Sequence, residues 1–96
     1  MGSIEEGFFR VLGLKGTKDI LTFLDEHGPA QYRDFHVSIS VSTLNKRLRE
    51  LLMFDLINHC LTREGGRKEW YEITEKGREV AKHLKRLTEI IQSGNE

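Results

Sequence analysis

The chain has 96 residues, with 15 basic and 15 acidic side chains, 38% hydrophobic residues and a single cysteine. That length makes one domain with one modest core, roughly two-thirds of the unfolded surface being buried, and leaves little room for a separate substrate domain. No apolar run approaches the ~20 residues of a membrane helix and no secretory signal is visible, so the expectation is a globular, cytoplasmic protein. Cys60 has no second cysteine to pair with, which fits a reducing compartment.

A net charge of zero argues against nucleic acid at first sight, but the distribution matters more than the sum. Residues 1–30 carry three basic and five acidic groups, residues 31–68 seven and four, and residues 69–96 five and six. The middle third is therefore positive, by a margin that predicts moderate, salt-sensitive affinity for a polyanion.

In chain order, residues 4–12 read as a helix, with Ile4, Phe8 and Leu12 on one stripe and Gly13 at its end. A terminal helix this apolar requires a cover, which is either its own domain or a second subunit. Thr17 is placed to cap the next helix, 18–27, whose core stripe is Ile20, Leu21 and Leu24. Gly28-Pro29 stops it. Residues 30–36 suit one or two helical turns, and 37–39 form a turn with an apolar plug.

The stretch 41–53 is the most informative. Leu44, Leu48, Leu51 and Leu52 recur at helical spacing, and Ser40 stands at the N-cap. The opposite face holds Ser42, Thr43, Lys46 and Arg49, with Asn45 and Arg47 at its flanks. Hydroxyl, amide, ammonium and guanidinium groups on one rigid rod can donate to phosphates and to base edges in a major groove.

Residues 57–63 and 69–73 alternate as strands around a Gly65-Gly66 turn, with Arg63, Arg67 and Lys68 at the tip. Thr74 caps a last helix reaching about residue 92, along which Val80, Leu84, Leu87 and Ile91 make a two-heptad seam. The order of elements predicts an α+β, mostly helical fold. It is a three-helix core with a β-hairpin wing over about 14–80, flanked by the two terminal helices.

Three stretches carry a resemblance: Gly28-Pro29-Ala30-Gln31-Tyr32-Arg33-Asp34-Phe35, then Ser40-Val41-Ser42-Thr43-Leu44-Asn45-Lys46-Arg47-Leu48-Arg49-Glu50-Leu51, then Tyr71-Glu72-Ile73-Thr74-Glu75-Lys76-Gly77. Together they resemble winged helix-turn-helix transcription regulators of the HxlR-like and MarR-like prokaryotic type, over roughly residues 12–86. Two departures stand out. Asp55 occupies a position that is usually glycine, and Leu14-Lys15-Gly16-Thr17 lacks the tryptophan that HxlR-like proteins tend to show.

The resemblance implies that Ser42, Thr43, Lys46 and Arg49 face the major groove, with Asn45 able to read adenine. Gln31, Tyr32 and Arg33 would meet phosphates, and Arg67 and Lys68 on the wing (about 63–69) would meet backbone or the minor groove. Arg47 is left between a DNA contact and an ion pair with Glu50 or Asp34.

A homodimer is expected from the terminal helices, through Phe8, Phe9 and Leu12 at one end and Leu84, Leu87 and Ile91 at the other. The histidines do not cluster at metal-ligand spacing, and the adjacent His59 and Cys60 point to opposite faces of a strand. No catalytic arrangement stands out, so neither an enzyme nor a cofactor, metal or small-molecule ligand is expected. The leading function is sequence-specific binding of double-stranded DNA in transcription regulation. The alternative is a winged-helix protein-interaction module, favoured by zero net charge and by Met53-Phe54 in place of acidic residues.

Overall fold

The computed structural model describes residues 3–93. Helix α1 spans Ile4–Leu12, α2 Thr17–His27 and α3 Val41–Met53. A single 3-10 turn, Tyr32–Asp34, precedes α3. Strands β1 (Ile57–Thr62) and β2 (Lys68–Ile73) form an antiparallel hairpin, and α4 (Glu75–Ser93) closes the described chain. This is the winged helix-turn-helix that the pattern of elements predicts.

The core is aliphatic. Val11, Ile20, Leu21, Leu24, Leu44, Leu48, Leu51, Leu56, Ile57 and Ala81 are buried, and Phe35 is nearly so. Each is the inward stripe of its helix or the start of the hairpin, so the helical periodicity of the sequence becomes the packing of α1, α2 and α3 around one centre. Ala30 adds a third edge to the hairpin: its N–H donates to Tyr71 O (3.0 Å) and its carbonyl accepts from Tyr71 N (2.7 Å).

Local caps set the ends. The Ser40 hydroxyl accepts from Thr43 N at 3.2 Å and starts α3. Thr74 starts α4, accepting from Gly77 N at 2.9 Å while donating to the Asp55 carbonyl at 2.8 Å. Asp55 sits at φ 61°, the left-handed cap that its position after α3 requires. Gly77 is dictated by proximity, since a Cβ there would collide with the Leu56 carbonyl. The joint between α3, β1 and α4 is thus closed on all sides.

One expected cap is different. Thr17 does not cap α2. Gly16, at φ 96°, makes the turn, and Thr17 is fully buried with its hydroxyl donating to Val11 O at 2.6 Å. The hydroxyl ties α1 to α2 across the loop because a buried donor must find an acceptor, and the nearest is the end of α1. The strand limits also shift by a residue: Lys68 pairs with Thr62, so Arg63 lies in the turn and Lys68 lies in the strand.

Candidate nucleic-acid interface

The polar face of α3 is built by contrast with its buried one. Ser42, Asn45, Lys46 and Arg49 are exposed. Among the described residues, neither Lys46 nor Arg49 has a carboxylate within salt-bridge distance. The first turn of α3 carries no acid, so the positive end of the helix dipole is uncompensated there. Thr43 is half-buried. Its Oγ1 accepts from the Ser40 hydroxyl at 3.0 Å, which makes it part of the cap as well as of the face.

Arg47 belongs to the other face. Its side chain is only 10% exposed, its Nε donates to Lys15 O at 2.9 Å and its Nη1 to Glu50 Oε1 at 2.7 Å. The second oxygen of Glu50 accepts from Arg10 of α1 at 3.3 Å. Of the two readings of Arg47, the ion pair with Glu50 is the one found, and it clamps α3 to the α1–α2 loop.

The 3-10 turn ahead of α3 is closed by Asp34, whose carboxylate accepts from Gln31 N at 2.8 Å. Gln31 is half-buried; Tyr32 and Arg33 are exposed. The short helix expected here reduces to a single turn. Phe35 is drawn inward against Phe23 (5.3 Å) and Tyr71 (6.0 Å) and does not continue a helical face.

On the wing, Lys68 is exposed and free of carboxylates among the described residues, and Gly65 and Gly66 both adopt positive φ. Arg67 is not free: its Nη2 donates to Glu69 Oε1. That bond, with the attraction of the guanidinium, holds the Glu69 carboxyl below the usual carboxylate range. His59 reaches the other oxygen of Glu69 at 3.3 Å and stacks on Tyr71 at 4.9 Å. Burial, followed by the charges of Glu69 and Tyr32, pushes the Tyr71 phenol up, so it stays neutral. Burial and the charge of Glu72 raise the Cys60 thiol, which lowers its thiolate fraction near neutrality.

Sequence reasoning did not single out Glu69, and it weighed His59 only as a metal ligand, a role it set aside. The signal was present: Arg67 stands just ahead of β2 and two residues from Glu69, and the pairing of His59 with Tyr71 puts His59 diagonal to Glu69.

The terminal helices form a second surface. Phe8 meets Phe54 edge-on at 5.5 Å, so Phe54 is covered within the chain, while Phe9 and Ile4 remain exposed. Phe8, Phe9 and Leu12 of α1 face Val80, Leu84 and Leu87 of α4 across an apolar groove of about 210 Å³. An adjoining groove of about 440 Å³ continues past Leu12, Leu84 and Leu87 to Ile91. Leu12 and Leu84 are half-buried against their own domain; Leu87, Ile90 and Ile91 are exposed.

A family model described as HxlR-like helix-turn-helix matches residues 11–96. The chain belongs to the HxlR-like helix-turn-helix family. Its class is therefore that of DNA-binding transcription regulators, and the missing tryptophan before α2 does not remove it from the family. No curated protein matches it.

Among the solved structures that share the HxlR-like chain's fold are two transcriptional regulators. One is the reduced form of the transcriptional regulator YodB from B. subtilis, 23% identical, with a TM-score of 0.69 over 97% of this chain and 90% of that one. The other is a transcriptional regulator of the MarR family from Enterococcus faecalis V583, 20% identical, with a TM-score of 0.67 over 99% and 91%. No helix among the described residues is long and apolar enough to cross a membrane.

Proposed function

We infer that this HxlR-like protein is a sequence-specific regulator that reads double-stranded DNA as a homodimer in the cytoplasm. In this reading α3 enters the major groove and the turn between β1 and β2 meets the backbone or minor groove. The observation that carries it is the free cationic face of α3: Lys46 and Arg49 are exposed and unpaired among the described residues, beside Ser42 and Asn45, on a helix whose other face is clamped by Arg47. Cations that fold without internal partners are available to phosphates and guanine edges. Tyr32 and Arg33, exposed just ahead of α3, suit phosphate contacts, as does Lys68 on the wing, with Arg67 joining it when it leaves Glu69; the half-buried Gln31 would add a contact through its side-chain amide.

The apolar groove between α1 and α4 supports the dimer. A face lined by Phe8, Phe9, Leu12, Leu84 and Leu87 and continued by Ile91 has no reason to stay in water, and two-fold pairing through it would present two α3 helices to two half-sites. The protein-interaction alternative is weakened by the Phe8–Phe54 contact, which leaves Met53 alone as its exposed support.

The test is fluorescence anisotropy on a random-sequence duplex at two salt concentrations, with Lys46→Glu/Arg67→Glu as control. Salt-sensitive binding that disappears in the control is the expected result. Absence of binding at low salt overturns the reading. Sedimentation at tens of micromolar checks the dimer, which predicts twice the 11.1 kDa chain mass.

A further inference from the structure

Glu69 on the wing has two basic side chains as partners, one on each oxygen. Arg67 Nη2 donates to Oε1, and His59 Nε2 lies 3.3 Å from Oε2. The ring of His59 is held in place by its stack on Tyr71, with the planes 19° apart, and Tyr71 is itself seated edge-on against Phe35. From the 3-10 turn, Tyr32 is the titratable group that acts on Tyr71; no carboxylate other than Glu69 lies within salt-bridge distance of His59 among the described residues. Arg67, Glu69 and His59 are all substantially exposed, so these contacts compete with water and with any incoming anion.

We propose that Glu69 is a positioning residue for the wing: it holds Arg67 away from DNA, and a proton on His59 takes over the carboxylate and releases Arg67 to a phosphate. This rests on the DNA-binding reading above. The physical logic is competition for one negative charge: each partner holds its own oxygen, and a full charge arriving at Oε2 weakens the hold of Oε1 on Arg67. A neutral imidazole supplies Glu69 with a single N–H, whereas an imidazolium supplies the same N–H with a full charge. DNA acts in the same direction, because phosphates favour both a protonated His59 and a released Arg67. Binding and proton uptake are therefore coupled, and affinity rises as pH falls through the imidazole range.

The experiment is anisotropy of the full chain on a labelled random-sequence duplex, at fixed ionic strength, at about pH 8 and about pH 6. Glu69→Gln tightens binding about two- to fivefold at the higher pH. It also steepens the salt dependence by about one unit, as one more phosphate contact is made. Glu64→Gln removes the same charge from the wing tip and tightens binding less. In an Arg67→Gln background, Glu69→Gln gains no more than Glu64→Gln does. His59→Gln loses part of the gain seen at the lower pH.

Equal effects of Glu69→Gln and Glu64→Gln, or an unchanged pH response in His59→Gln, overturn the proposal. Wild-type protein that binds no duplex overturns the DNA-binding reading instead. The cluster is then judged by NMR titration of the His59 ring, whose midpoint moves up in Arg67→Gln if the two cations share Glu69 and stays put if they do not.

Discussion

Two glutamates in this molecule each bridge two basic side chains, and they do opposite things with them. Glu50 on α3 joins Arg47 and Arg10 and is 14% exposed; Glu69 on β2 joins Arg67 and His59 and is 41% exposed. The difference is in the surroundings. Around Glu50 the aliphatic stems of α3 and the α1–α2 loop exclude water, so Arg47 has nowhere else to place its charge and the cluster is a structural clamp. Around Glu69 water is a ready substitute for every partner, so the cluster is exchangeable. An arginine two positions from Arg47, Arg49, escapes both fates because its side of the helix faces away from the domain.

The strongest way to break this contrast is Glu50→Gln. It leaves Arg47 buried without a counter-charge, and we expect a loss of about 3 kcal/mol in urea denaturation, equivalent to a melting point lower by roughly 15 °C. A loss near zero would mean that Lys15 O alone satisfies Arg47 and that the clamp is an ordinary surface pair. Arg10→Gln removes the exposed arm of the same cluster, since Arg10 is 61% exposed. Its expected cost is about 0.2–1 kcal/mol, falling as salt is added.

The smallest effect on stability belongs to the wing. Glu69→Gln leaves the melting temperature unchanged at neutral pH, in contrast to Glu50→Gln on α3. The pH response sharpens the point. Glu69 is depressed by Arg67, so whatever the pair contributes is present above the ordinary carboxylate range and is lost as pH falls through the depressed value. An NMR titration of its side-chain carboxyl should show a midpoint below that of a free glutamate, returning upward in Arg67→Gln.

Much of the fold is written locally. The leucine spacing of α3, the Ser40 cap, the Gly65-Gly66 turn and the Thr74 cap are all short-range signals, and each appears where its residues place it. Asp55 in the left-handed region is likewise readable, as the residue after a helix that must turn back. One misreading and one choice left open are both long-range. Thr17 looks like a cap because threonine before a helix usually is one, but its hydroxyl is claimed by Val11 O on the preceding helix. Arg47 sits at the edge of a helical wheel, and only the arrival of the Lys15 carbonyl, 32 residues away in sequence, decides which side it joins.

Residues 4–12 show the same limit. Their stripe reads as apolar, but the partition between Phe8, which faces Phe54, and Phe9, which faces solvent, depends on where α3 ends. The candidate DNA face was legible as a list of side chains; which of its cations are already engaged was not. Arg67 and Lys68 are neighbours in sequence, yet one folds onto Glu69 and the other does not.

The closed joint at Asp55, Leu56 and Gly77 has a consequence for how the chain tolerates change in length. Both ends of the hairpin are loops, but they are not equivalent places to add residues. At the joint, the Asp55 and Leu56 carbonyls are both engaged by Thr74, and the backbone of Gly77 lies against Leu56, so one inserted residue displaces α4 from its seat on α2. At the wing tip, Gly65 and Gly66 have open space around them, and doubling a flexible loop costs only about 0.6 kcal/mol. Wing length is thus a dimension along which such a protein can drift, lengthening or shortening its reach, while the start of α4 is held in place.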